Sequence, residues 1–130
     1  MNYSINCKNA PRKAFLEALM PSILAQLGLT NSDKYLYITV ESDSADAGMA
    51  VEVFGDYGIA MKTGMTVTEL AVTLCHEMVH VRQMVVGLLK NGNTWRGKVY
   101  PADTDYLILP WEVQAFSRQE IIFRRAFASL

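Results

Sequence analysis

His76, Glu77 and His80 stand in the order His-Glu-Met-Val-His, and the chain has no other histidine. On a helix, residues four apart project from one face, one turn above the other. Two imidazoles at that spacing can share a metal ion, and the intervening Glu77 can take a proton from a metal-bound water without itself ligating. In a shuffled chain, both histidines would fall four apart with a Glu after the first roughly once in a thousand times.

Two histidines leave such a site incomplete, because a catalytic zinc takes three protein ligands and a water. With no third histidine, the third ligand must be a carboxylate or a cysteine. Glu112 falls near the middle of an apolar face made by Ala115, Phe116, Phe123, Ala126 and Phe127. A buried carboxylate needs a partner, and a metal held by His76 and His80 is one. An ion pair with Arg82 or Arg118, or emergence to solvent at the helix start, where the dipole favours acids, are the others. Glu120 lies off that face and can pair with Arg124. Cys75 points about 100° away from His76 and reads as core.

The elements that must position these residues are legible in outline. Asn9 to Leu29 predicts a helix, with Asn9 as cap, Pro11 early, Gly28 as stop, and Pro21 kinking or splitting it. Tyr35 to Glu41 predicts a strand, Ser42 to Gly48 a polar loop. Met49 to Phe54 and Tyr57 to Thr63 follow as two strands joined through Gly55-Asp56, with Gly58 marking a bulge or a close approach. Thr66 and Glu69 form a capping-box pattern that opens the central helix, which Gly87 stops. On its wheel Leu70, Leu74, Met78, Val81 and Val85 make an apolar stripe, leaving Glu69, Thr73, His76, Glu77, His80 and Gln83 in one polar strip. Gly92, Gly97 and Pro101 punctuate an irregular segment with short strands around Trp95 to Tyr100. Pro110 starts a last helix to about Ala128. Clustered strands and non-interleaved helices predict an α+β class with a small antiparallel or mixed sheet.

At 130 residues, residues 1–130 are expected to form one domain, and 51% hydrophobic with 10% aromatic residues suits a packed core. Twelve basic residues nearly balance 13 acidic ones, with no basic block. That argues against a dedicated nucleic-acid binder, which needs clustered Lys and Arg. Met1 to Lys13 contains neither a signal-peptide apolar run of roughly 7–15 residues nor a membrane span of about 20, so a cytoplasmic location is expected. Cys7 and Cys75 read as two reduced thiols.

The His-Glu-x-x-His order followed by a downstream-helix Glu resembles the gluzincin metallopeptidases. More narrowly, three segments look like a family of small metallopeptidase-like proteins common in bacteriophages: Leu74 to Gln83, Trp95-Arg96-Gly97-Lys98-Val99-Tyr100, and Leu109-Pro110-Trp111-Glu112-Val113-Gln114-Ala115. The resemblance runs from about Tyr35 to Ala126. The last segment in that family usually reads Pro-Trp-Glu-hydrophobic-Glu-Ala, and this chain has Gln114 at the second Glu. The resemblance implies a zincin-like fold, zinc on His76, His80 and Glu112, Glu77 as general base, and host cytoplasm as the location of a viral protein. It further implies that Tyr57 to Lys62 is the edge strand that pairs with an extended peptide or protein substrate. A donor for the developing oxyanion is also needed, and Tyr100 and Tyr106 are the candidates, though both serve equally as packing residues with a polar tip. Rival expectations are a SprT-like DNA-associated protease, or a non-catalytic metal-binding interaction or virion module that keeps the fold.

Overall fold

The computed structural model describes residues 1–41 and 46–130. Four strands form one sheet: β1 (Asn2–Cys7), β2 (Tyr35–Val40), β3 (Gly48–Val53) and β4 (Asp56–Met61), in the order β1-β2-β4-β3. β1, β2 and β4 run parallel and β3 runs antiparallel to β4, so the sheet is mixed. Three helices, α1 (Ala10–Gln26), α2 (Val67–Val85) and α3 (Pro110–Ala128), complete an α+β fold. Between α2 and α3 lie a small antiparallel ribbon, β5 (Leu89–Lys90), β6 (Thr94–Trp95) and β7 (Lys98–Val99), and a 3-10 turn at Tyr106–Ile108. No helix among the described residues is long and apolar enough to cross a membrane.

One face of the sheet is apolar by strand alternation. Ile5, Leu36, Ile38, Val40, Tyr57, Ile59 and Met61 are all buried and join Leu16, Leu19, Met20, Ile23, Leu70, Leu74 and Met78 of the helices in one core. α2 begins where expected: Glu69 N donates to Thr66 Oγ1 at 3.1 Å, and Thr66 N donates to Glu69 Oε1 at 3.3 Å. Gly87, with φ +81, follows its end.

Several expectations are corrected. β1 was not foreseen, because an edge strand wet on one face carries only Ile5 as a fully buried apolar side chain. α1 runs unbroken through Pro21, which lies on the exposed side, where the carbonyl it leaves unpaired can face water. The hairpin turn is Phe54-Gly55, both at positive φ, while Asp56 already pairs with Val53 in β4. Two consecutive positive φ values match a turn whose twist suits the strands. Gly58 keeps register with both neighbours, so there is no bulge.

The expected edge strand Tyr57 to Lys62 is not an edge, and it ends at Met61. β4 lies between β2 and β3, because its buried Tyr57, Ile59 and Met61 belong over the core centre, while the hairpin turns the largely exposed β3 outward. On α3 the buried positions are Trp111, Glu112, Ala115, Ile122 and Ala126, whereas Phe116 and Phe127 are about half exposed. The helix is rotated because it packs against both α1 and α2. Of the expected loop Ser42 to Gly48, residues 42–45 lie outside the described residues, and Gly48 belongs to β3.

Candidate metal centre

α2 places His76 and His80 on its polar strip where that strip meets α3, and both residues are buried. Their planes stand nearly perpendicular, at 82°, with centroids 4.9 Å apart. From the first turn of α3, Glu112 reaches both: its Oε1 lies 3.0 Å from His76 Nε2 and 3.0 Å from His80 Nε2. Tyr106 Oη donates to the same oxygen at 2.9 Å. The far ring nitrogens meet amides. His76 Nδ1 is 2.8 Å from Gln119 Oε1, and His80 Nδ1 is 2.8 Å from Gln83 Oε1.

This geometry tests whether a metal fits. An Nδ1 facing an amide oxygen carries the proton, which leaves each Nε2 as an acceptor. Two acceptor nitrogens and a carboxylate oxygen then converge at hydrogen-bond distance, a repulsive set unless a cation or protons lie among them. Ligands about 2.0–2.2 Å from a tetrahedral ion stand roughly 3.4 Å apart, near the 3.0 Å that separates Glu112 Oε1 from each Nε2. His76, His80 and Glu112 are thus a buried His-His-Glu group able to hold a metal ion. Without one, protons take over. Burial opposes charge on His80, but hydrogen bonds to Glu112 and Gln83 raise its pKa above the ordinary value. Burial likewise opposes ionisation of Glu112, yet hydrogen bonds from His76, His80 and Tyr106 hold it down at about 2.

Comparison of the chain with family models, curated proteins and solved structures finds no match. The site therefore speaks through its own geometry.

The three residues open onto a cavity of about 640 Å³ that Glu77 and Tyr106 also line. Glu77 is buried, and this pushes its carboxyl above the usual carboxylate range, although His80 and His76 pull it back. Burial and the Glu112 carboxylate keep Tyr106 protonated well above the ordinary phenol value. Apolar side chains complete the wall, including Met49, Val72, Leu89 and Trp111, while Phe116 stacks edge-on to His76 at 4.6 Å.

The expected site residues His76, Glu77, His80, Glu112 and Tyr106 are brought together. Tyr100 is not: it does not line the cavity, and its ring packs edge-on against Trp111 at 5.5 Å with Lys98 over its face. Arg82 and Arg118 form no ion pair with Glu112 among the described residues, and Glu120 reaches Arg124 only across an exposed 3.9 Å. Sequence reasoning missed Gln83, Gln119 and Gly48. Gln83 lay in the polar strip three residues after His80, and Gln119 lies two turns after Glu112 on the same side of α3; those spacings were the available signal.

Proposed function

We propose that this chain is a zinc-dependent peptidase of the gluzincin-like kind, hydrolysing a peptide or protein substrate with Glu77 as general base. The observation that carries the reading is the convergence of His76 Nε2, His80 Nε2 and Glu112 Oε1 beside the buried Glu77 in an open cavity. A structural zinc is closed by four ligands; here three ligands face a space large enough for a substrate. The resemblance of the three segments to small phage metallopeptidase-like proteins supports the same reading.

His76, His80 and Glu112 would hold the zinc, which when bound polarises a carbonyl and lowers the pKa of water to about 7. Glu77 is placed to accept the proton of the attacking water and pass it to the leaving amine, and its raised pKa suits both halves of that transfer. Tyr106, at the cavity wall, would serve a developing oxyanion by turning its single O–H from Glu112 to that oxygen. Glu112 accepts its hydroxyl at 2.9 Å, which aims it toward the ligands.

Substrate would lie along β3 rather than β4. Lys62 N donates to Ala47 O at 3.1 Å, and Gly48 pairs with Met61. Antiparallel ladders alternate, so residues 47, 49, 51 and 53 bond to β4, and the backbone groups of Gly48 and Ala50 face outward. Both residues line the cavity, and such an open edge can pair with an extended peptide.

Metal analysis by mass spectrometry on protein purified without added metal tests the centre. About one zinc per chain is expected in wild type and a large loss in Glu112→Ala. No uptake by wild type even when zinc is offered, or selective retention of iron, would sink the zinc peptidase reading. Peptide-library cleavage then tests the activity, with Glu77→Gln expected to keep its zinc and lose about 10²–10⁴ in rate.

A further inference from the structure

Gln83 is fully buried, and it touches both helices of the centre. Its Oε1 faces His80 Nδ1 at 2.8 Å, while its Nε2 donates to the Trp111 carbonyl at 3.0 Å and to Gln114 Oε1 at 2.9 Å. A backbone carbonyl only accepts. The Trp111 carbonyl therefore fixes which end of the Gln83 amide is nitrogen, and the oxygen is left facing His80. That oxygen requires the proton of His80 on Nδ1 and leaves Nε2 as the nitrogen with a free lone pair, the one that points at Glu112.

We infer that Gln83 is a positioning residue of the metal centre, a hydrogen-bond relay through which the docked first turn of α3 selects Nε2 of His80 as the ligating nitrogen. The inference rests on the metal reading above and goes beyond it. Trp111 and Glu112 are neighbours in sequence, so one turn of α3 supplies a ligand through Glu112 and orients another through Trp111 and Gln83. The ligand set is complete only when α3 is seated on α2.

The relay also explains the residue type. Position 83 must accept from an imidazole N–H on one side and donate to a carbonyl on the other, which an amide does and a carboxylate does not. A glutamate would turn an oxygen toward the Trp111 carbonyl, and a methionine of similar length would offer neither group. Gln114 needs only to accept, so the amide found there serves where the resembling family has a carboxylate. Metal-ligating histidines are commonly oriented in this way by a partner on the far nitrogen, and losing it costs about 10–100-fold in affinity.

The test is zinc affinity by competition with a chromophoric chelator, alongside long-range proton–nitrogen NMR of the zinc-loaded wild type. Gln83→Met and Gln83→Glu are expected to bind zinc at least about tenfold more weakly, with far-ultraviolet dichroism confirming the fold. In zinc-loaded wild type, His80 is expected to ligate through Nε2 and carry its proton on Nδ1. If both variants keep wild-type affinity, or if His80 ligates through Nδ1, the relay is overturned; the NMR result stands even if neither variant folds. A wild type that takes up no zinc refutes the metal centre itself, an outcome distinct from equal binding by wild type and variants.

Discussion

Gly48 of β3 packs directly against Glu77 of α2: a Cβ added at Gly48 would stand 3.0 Å from Glu77 Oε2, 3.1 Å from its Cγ and 2.8 Å from Thr73 Cγ2. The backbone of Gly48 is not in the left-handed region, so close approach alone demands glycine here. Gly48→Ala is expected to displace the Glu77 carboxylate and cost about 1–3 kcal/mol through overpacking. Zinc content should stay unchanged, because the atoms nearest the added Cβ belong to Thr73 and Glu77 rather than to His76, His80 or Glu112. Denaturant melts and metal analysis check the two halves, and lost zinc would contradict the assignment of the contact.

Ala50 tests the substrate edge. Its N–H faces away from β4 by the alternation that Lys62 and Ala47 establish. Proline is tolerated on an edge strand where the N–H it removes faces solvent. Ala50→Pro should leave the melting temperature within a few degrees of wild type, yet raise the KM for a cleaved peptide about tenfold or more through the lost backbone bond. The same change at Val51, whose N–H faces β4, should instead destabilise the sheet.

The metal-free protein should be most stable in mildly acidic solution. Glu112 is depressed from an ordinary 4.5 to about 2 in the folded chain. Its contribution is therefore present above pH 4.5 and lost as pH falls toward 2. His80 is raised above its ordinary 6.5, so its contribution is present below that value and lost as pH rises through the folded pKa. Urea titrations of metal-free protein from pH 3 to 9 should show a maximum between those limits, flattened in Glu112→Gln. With zinc present the alkaline loss should vanish, because the ion replaces the proton on His80 Nε2 and leaves the one on Nδ1.

The two thiols should differ sharply. Burial pushes Cys75 up to about 12 and leaves it with no exposed surface, while Cys7 is half-buried at the end of β1. Thiolates are the reactive form. A colorimetric thiol reagent should titrate one cysteine per native chain at neutral pH and two in denaturant. Cys7→Ser should abolish the native signal, and rapid native labelling of Cys75 would show that α2 opens far more readily than its packing implies.

Much of the centre was determined by local sequence. Four-residue spacing on a capped helix places His76, His80 and Glu77 together whatever surrounds them, since helix geometry alone aligns i with i+4. The capping box of Thr66 and Glu69 and the start of α3 at Pro110 are equally local. Tertiary structure decided the rest. β1 became a strand because β2 offered it a partner; β4 became internal by pairing with β2 on one side and, through the Phe54-Gly55 turn, with β3 on the other, which left β3 as an edge. Tyr106 rather than Tyr100 faces the ligands because the 3-10 turn and the packing of Trp111 direct each ring, over distances that no periodicity encodes. The proton on His80 depends on a contact between helices: a carbonyl on α3 orients Gln83 on α2, and only the docking of the two helices brings them together.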